Sequence, residues 1–308
     1  MSEQEIGTIT IIDQQVVDGL ENKEVNSLVG TVHSVFNKVI NILATDQSSL
    51  LTLALEEVIS SPGMMKTADK QLFNAMKSKV APGDPVRLSQ KNTIKIKQVE
   101  WDYTKATYSL VKISKKNLSE RLSSDSFSKT IYKFIKEQGS DSGLVSAWEI
   151  YSNKELANSS VKNSYVAFFL QAIRKMSEEL AAKDFNAVVK QSYKLVGLGV
   201  GLTPSGDDFL LGCLAVWHLF ESPLIESFEG NNWIEHVKKR STSISAFMLE
   251  NGVNGYVNQA LNDLLRHYQE EDITRYLQPF LKIGATSGTD MLVGVIFAYD
   301  QMNNSYRR

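Results

Sequence analysis

One cysteine, Cys213, stands in 308 residues. A lone cysteine excludes an internal disulfide and a cysteine-rich zinc site. No Walker loop, zinc motif or nucleophile elbow is present. The longest apolar stretches are short or broken by charge, which argues against a membrane span. Neither sign of charge dominates. Lys and Arg total 33 against 35 Asp and Glu, a net charge of -2, so no global basic field draws nucleic acid. The start, M-S-E-Q-E-I-G, lacks the basic and apolar regions of a signal peptide. These absences lead us to expect a cytoplasmic protein with no nucleic-acid or membrane partner. The chain does have a hydrophobic content of 43%, enough for a real core. Its length suits one large or two ordinary domains.

The first part reads as β-rich. Leu28 to Leu43 is dense in branched residues, and Thr52-Leu53 follows a short polar turn. Asn92 to Lys97, N-T-I-K-I-K, alternates polar and apolar, the period of a strand with one wet face. Trp101 to Val111 has similar content, and A-P-G-D-P at Ala81 to Pro85 is turn chemistry. These features predict a compact sheet domain, a small barrel among the options. After about Ser124 the period becomes helical. Helices are predicted at 127–138, 161–182, from an Asp184 cap to Val196, and at 206–220, 232–250, 255–269 and 287–302. The fold class is therefore α+β. A β-rich N-terminal domain, 1–124, is expected to pack on a larger, mostly α-helical domain, 125–308.

Between two apolar helical segments lies G-L-G-V-G-L-T-P-S-G-D-D-F-L-L-G, Gly197 to Gly212. Glycine costs backbone entropy and proline breaks helices, so packing alone does not ask for such a turn. The pattern predicts a helix ending at Gly197 and another starting near Ser205. Thr203 or Ser205 can cap it, and Pro204 suits its first turn. Gly206 would leave room for an anion against the helix-start N–H groups. Asp207 and Asp208 suit the positive helix end but would repel a bare phosphate. A bridging cation, an amide-bearing substrate or a purely structural role would each resolve that conflict.

The motif has an echo. S-G-D-D-F-L-L-G, Ser205 to Gly212, aligns with S-G-T-D-M-L-V-G, Ser287 to Gly294. Ser205 matches Ser287, Gly206 matches Gly288, Asp208 matches Asp290, and Gly212 matches Gly294. Thr203 and Thr286 precede the two serines. A single Ser-x-x-Asp reads as a helix cap. Two copies with glycine inside each first turn read as a site, with Asp208 and Asp290 directed to a common cavity. Gly212 and Gly294 lie one turn on and can permit close helix packing.

These residues resemble the AllH-type family, a bacterial group largely of unknown function. The likeness is strong over about Val196 to Gly294. It includes R-S-T-S-I-S, Arg240 to Ser245, and is weaker at G-T-V-H-S-V-F-N, Gly30 to Asn37. One branch of the family is named as a subunit of oxamate carbamoyltransferase in allantoin degradation, a step of purine catabolism, where it works with two other subunits. The resemblance implies carbamoyl transfer between carbamoyl phosphate and oxamate, or its reverse from oxalurate, and partner subunits of a carbamoyltransferase complex.

Such chemistry needs anion recognition and charge stabilisation on the carbamoyl oxygen. Asp208 and Asp290 are the catalytic candidates. The substrate-binding candidates are Gly199, Gly201, Thr203, Ser205, Gly206, Asp207, Arg240, Thr286, Ser287 and Gly288. Asp208 and Asp290 can also bind Mg²⁺, which takes few protein carboxylates and bridges phosphate oxygens. Two rival classes stand beside this reading: a non-catalytic assembly subunit and a Mg²⁺-dependent hydrolase or phosphotransferase. Arg240 follows Lys238 and Lys239, so a solvated basic patch competes with anion binding there. His33 is read first as a packed or surface residue. His218, His236 and His267 have no partner at ligand spacing. Cys213 reads as a buried thiol, and Phe168, Phe169, Trp217 and Phe220 as core.

Overall fold

A computed structural model describes residues 5–47, 49–115, 126–140, 143–153, 156 and 163–306. The chain divides into two compact units, Met1–Val111 and Lys112–Arg308. The boundary expected near 124 falls outside the described residues.

The first unit is a curled 10-stranded sheet. Its strands are β1 (Glu5–Thr8), β2 (Ile11–Asp13), β3 (Leu28–Val35), β4 (Val39–Ala44), β5 (Leu50–Leu55), β6 (Met64–Thr67), β7 (Pro85–Gln90), β8 (Thr93–Ile96), β9 (Val99–Asp102) and β10 (Thr107–Ser109). The order is β1-β9-β8-β7-β3-β4-β5-β6-β2-β10. One kinked segment closes it. Residues 5–8 pair with β9, while residues 11–13 pair with β6 on one side and β10 on the other. Between them Ile9 N–H donates to the Asp102 carbonyl and Thr10 N–H to that of Lys66. The branched run from Leu28 to Leu43 forms two strands, β3 and β4. It turns at Phe36–Lys38, where Phe36 N–H donates to the Val39 carbonyl at 2.8 Å. Val29, Ile40, Ile42, Leu53, Met65, Ile94 and Trp101 share the core. Two helices were not predicted there, α1 (Gln14–Glu21) and α2 (Lys70–Lys77). Each starts at an aspartate that accepts a backbone N–H, Asp13 from Gln15 and Asp69 from Leu72.

The second unit is helical: α3 (Ser126–Gln138), α4 (Gly143–Ser152), α5 (Ser164–Ala181), α6 (Phe185–Ser192), α7 (Ser205–Leu219), α8 (Leu224–Gly230), α9 (Trp233–Arg240), α10 (Ser243–Val253), α11 (Gln259–Arg266), α12 (Thr274–Leu277) and α13 (Ser287–Tyr306). Asp184 caps α6 as expected, accepting Ala187 N–H at 3.0 Å. The long helix predicted over 232–250 is instead two. Thr242 breaks it by capping α10, its hydroxyl accepting Ser245 N–H. α7 is buried all round, as a helix apolar on every face must be. Its partner α13 is packed backbone to backbone. A Cβ built at Gly212 would lie 2.1 Å from the Met291 carbonyl oxygen, and one at Gly294 would lie 2.0 Å from that of Phe209. Phe169, Trp217 and Phe220 belong to this core, but Phe168 does not, being 42% exposed. Cys213 is buried as read, its thiol against the Gly294 carbonyl. Among the described residues no helix is long and apolar enough to cross a membrane.

Candidate functional site

α6 stops at Ser192 and short turns lead to the glycine loop. Gly197, Gly199 and Gly201 have φ of +71°, +125° and +96°, the left-handed side where glycine pays no Cβ penalty. Gly199 and Gly201 are exposed, and Val200 between them is 92% exposed. The loop returns at Pro204, which precedes α7 without a side-chain cap. This corrects the capping expected of Thr203 or Ser205. The Thr203 hydroxyl instead reaches the start of α13, 2.9 Å from the Ser287 hydroxyl.

The two S-G-x-D starts therefore converge. Asp208 and Asp290 are 2% and 0% exposed. The hydroxyls of Ser287 and Thr203 hydrogen-bond to Asp208, and Asp290 and Asp207 add like charge nearby. Burial outweighs the hydroxyls and, with those charges, holds the Asp208 carboxyl well above the usual carboxylate range. Its Oδ2 is buried and has no hydrogen-bond partner. A buried acceptor without a donor is costly and asks for an explanation.

Asp207 is the opposite case. Its Oδ1 accepts Gly197 N–H at 2.8 Å, and its Oδ2 accepts the hydroxyls of Ser245, at 2.6 Å, and Ser241. It clamps the glycine loop to the segment that starts α10. Burial raises its pKa too, against those three donors. Arg240 is exposed at the end of α9, and its carbonyl lies where a Gly197 side chain would go. Lys238 beside it is paired with Glu250. Thr286 accepts Asp290 N–H through its carbonyl at 2.9 Å.

Gly206 and Gly288 have a different reason to be glycine from the anion seat expected of them. A Cβ on Gly206 would lie 2.1 Å from the Leu195 carbonyl oxygen, and one on Gly288 would lie 1.9 Å from that of Phe280. Their N–H groups are also engaged, Gly206 with Leu198 at 2.8 Å and Gly288 with Ile283 at 3.1 Å. Both glycines let the preceding turn lie directly on the helix start.

Sequence reasoning missed Tyr165, in the first turn of α5. Its hydroxyl is buried beside Ser205 and within the field of Asp290 and Asp208. Burial pushes that phenol up. Nothing in its local sequence marks it, because only the tertiary fold brings α5 to α7. Among the described residues no group of three or more His, Cys, Asp or Glu side chains is placed to hold a metal ion.

Residues 195–299 match the family model described as oxamate carbamoyltransferase subunit AllH. Residues 8–108 match the AllH family N-terminal domain. The second match takes in far more than the segment around His33 that carried the resemblance in the sequence. No solved structure matches the chain. The two models divide between them most of the sheet unit and the motif-bearing helices, and the chain belongs to the AllH family.

Proposed function

We propose that this chain is the substrate-binding subunit of an oxamate carbamoyltransferase-like enzyme, and that Asp208 recognises the amide of its substrate. The observation that carries the reading is the buried, unpartnered Oδ2 of Asp208 where the two motif helices start. An acceptor in that setting calls for an N–H donor. Oxamate, oxalurate and carbamoyl phosphate each carry an –NH₂ or –NH–, and each also carries an anionic end. Thr203, Ser205, Thr286 and Ser287 supply hydroxyls at the same helix starts. The anionic end is assigned in this reading to the exposed Gly199 and Gly201 backbone and the Arg240 guanidinium.

In this reading the raised pKa has a use. A carboxylate whose proton affinity is raised by burial is a stronger general base than one in solvent. The oxamate nitrogen attacks the carbamoyl carbon, the new C–N bond forms, and the C–O bond to phosphate breaks. The proton lost by nitrogen goes to Asp208, and phosphate leaves with the electron pair. Burial, with the charge of Asp290 adding to it, keeps the proton affinity of Asp208 high.

Mg²⁺ enters this reading with no role. Bound by one or two carboxylates, it usually retains several waters. Asp208 and Asp290 are almost fully buried, and the carboxylate of Asp207 beside them is already taken by Gly197, Ser241 and Ser245. The assembly-subunit reading has its own support in Val200, which projects an apolar side chain from the glycine loop, with Leu202 beside it at 37% exposure.

Calorimetric titration separates these. The full chain, alone and with its partner subunits, is titrated with oxamate and with oxalate, which has no N–H. The amide reading expects oxamate to bind at least about tenfold tighter than oxalate, and Asp208→Leu to remove that preference. Equal binding of the two, unchanged in the variant, would sink it. No binding of either by the chain in any assembly, with Val200→Asp blocking assembly, would select the structural role.

A further inference from the structure

α5 brings Tyr165 to the place where the starts of α7 and α13 converge. The hydroxyl of Tyr165 and the Oδ2 of Asp208 are both buried, and both lack a hydrogen-bond partner. They share one neighbourhood. Asp290 and Asp208 act on the Tyr165 phenol through their charge, and Asp290 acts on Asp208 as well. A buried tyrosine hydroxyl usually finds a partner. Tyr165 and Asp208 would be each other's partners if they touched, so a gap separates them. Ser205 does not fill it. Burial raises the proton affinity of the phenol and the Ser205 hydroxyl beside it lowers it, yet no hydrogen bond is completed between the two. Tyr165, Thr203 and Ser205 are half-buried, so solvent reaches the rim of this group.

The two unpartnered atoms are complementary in kind. A phenol of raised proton affinity keeps its proton, so Tyr165 has an O–H to donate. Asp208 Oδ2 has lone pairs to offer. Whatever joins them must accept from one and donate to the other through neighbouring atoms. A primary amide does so along one edge, where its C=O stands beside its N–H. A carboxylate has only acceptors, and an ammonium has only donors.

We infer that Tyr165 and Asp208 form a two-point clamp on one substrate amide, in which the Tyr165 hydroxyl donates to the C=O and Asp208 Oδ2 accepts the N–H of the same group. The clamp rests on the amide reading of Asp208 and adds the carbonyl half of the recognition. It makes Tyr165 a specificity-determining residue for carboxamides and ureas.

The test uses the full chain, alone and with its partner subunits, as parent, Tyr165→Phe, Asp208→Leu and the double variant. Thermal melts without ligand come first. Tyr165→Phe removes a hydroxyl that bonds nothing in the protein, so its melting temperature should be no lower than the parent's. A drop of several degrees, or failure to fold, would mean that the hydroxyl already has a structural partner, and overturns the clamp. Oxamate is then titrated into each protein. Tyr165→Phe is expected to weaken oxamate binding about tenfold. The double variant should lose less than the product of the two single losses, because both side chains grip one amide. Single losses that multiply would put the hydroxyl on another part of the ligand and overturn the clamp. Unchanged oxamate affinity in Tyr165→Phe, with a loss in Asp208→Leu, would leave the amide reading standing and give the gap between Tyr165 and Asp208 to water alone. Unchanged affinity in Asp208→Leu would remove the amide reading and the clamp together, as would the absence of oxamate binding in every assembly.

Discussion

Gly212 and Gly294 are reciprocal contacts. Gly212 on α7 lies on the backbone of α13 at Met291, and Gly294 on α13 lies on the backbone of α7 at Phe209. The space for either side chain is filled by a carbonyl, which cannot step aside as a flexible side chain can. Gly212→Ala and Gly294→Ala should therefore each destabilise the protein. Helix propensity favours alanine by roughly 0.5–1 kcal/mol, but forcing two packed backbones apart costs about 1–3 kcal/mol. A net loss of about 1–2 kcal/mol is expected in urea unfolding. A gain in stability from either substitution would mean that the helices are not in this close contact.

Gly206→Ala distinguishes two reasons for one glycine. An anion seat predicts a variant that folds at least as well as the parent and fails to bind. The Leu195 carbonyl, 2.1 Å from the added Cβ, predicts a variant that folds less well. We expect a melting temperature several degrees lower, with the ligand-free protein already affected. A melting temperature equal to the parent's would restore the anion seat.

The sequence made the repeated helix start readable because that feature is local. Serine, glycine and aspartate at fixed spacing define a helix start whatever lies around it, and both starts are found where the pattern put them. The reciprocal packing at Gly212 and Gly294 was also readable, since small residues one turn inside a buried helix allow close approach. The reason for Gly206 and Gly288 was not. Their obstructing atoms are carbonyls of Leu195 and Phe280, and only the path of the preceding turn puts them there. The same holds for the division of labour between adjacent aspartates. Asp207 meets Ser241 and Ser245 across a loop, and Tyr165 comes from a helix distant in sequence. In the sheet unit, N-T-I-K-I-K announced a strand through its alternation. The closure of the sheet depends on a kink after Thr8, in a segment too short to show any period.

Asp13 predicts a pH dependence in the sheet unit. It caps α1 and is buried, and burial raises its pKa to about 6 against the backbone N–H groups of Gln15 and Gly63. A carboxyl raised in the folded state favours folding most when both states are protonated. Its contribution is therefore full below about pH 4 and is lost as pH rises through about 6. Asp13→Asn can keep the cap and does not titrate. The stability of the parent relative to this variant should fall by about 2–3 kcal/mol between pH 4 and pH 7. Parallel denaturation series across that range would show a constant difference if the Asp13 carboxyl were in ordinary solvent.

Asp207 and Asp208 are adjacent, yet their amide variants should move stability in opposite directions. Asp207 accepts three hydrogen bonds that tie the glycine loop down. Asn can accept at one oxygen and would turn an –NH₂ toward remaining donors. Asp207→Asn should cost about 2–3 kcal/mol. Asp208 is buried among like charges with one oxygen unpartnered, so its ionised form opposes folding. Its folded pKa is raised, so the stability it contributes is full below the unfolded carboxylate range and is lost as pH rises through the folded value. Asp208→Asn removes that penalty. The variant should match the parent in acid and become the more stable of the two as pH rises, while losing the preference for amide-bearing ligands. Thermal melts from pH 4 to 8 check the first half, and titration with oxamate checks the second. Should Asp208→Asn be the less stable protein across the whole range, the carboxylate would be a structural acceptor like its neighbour. The donor proposed to come from the substrate would then already lie within the protein.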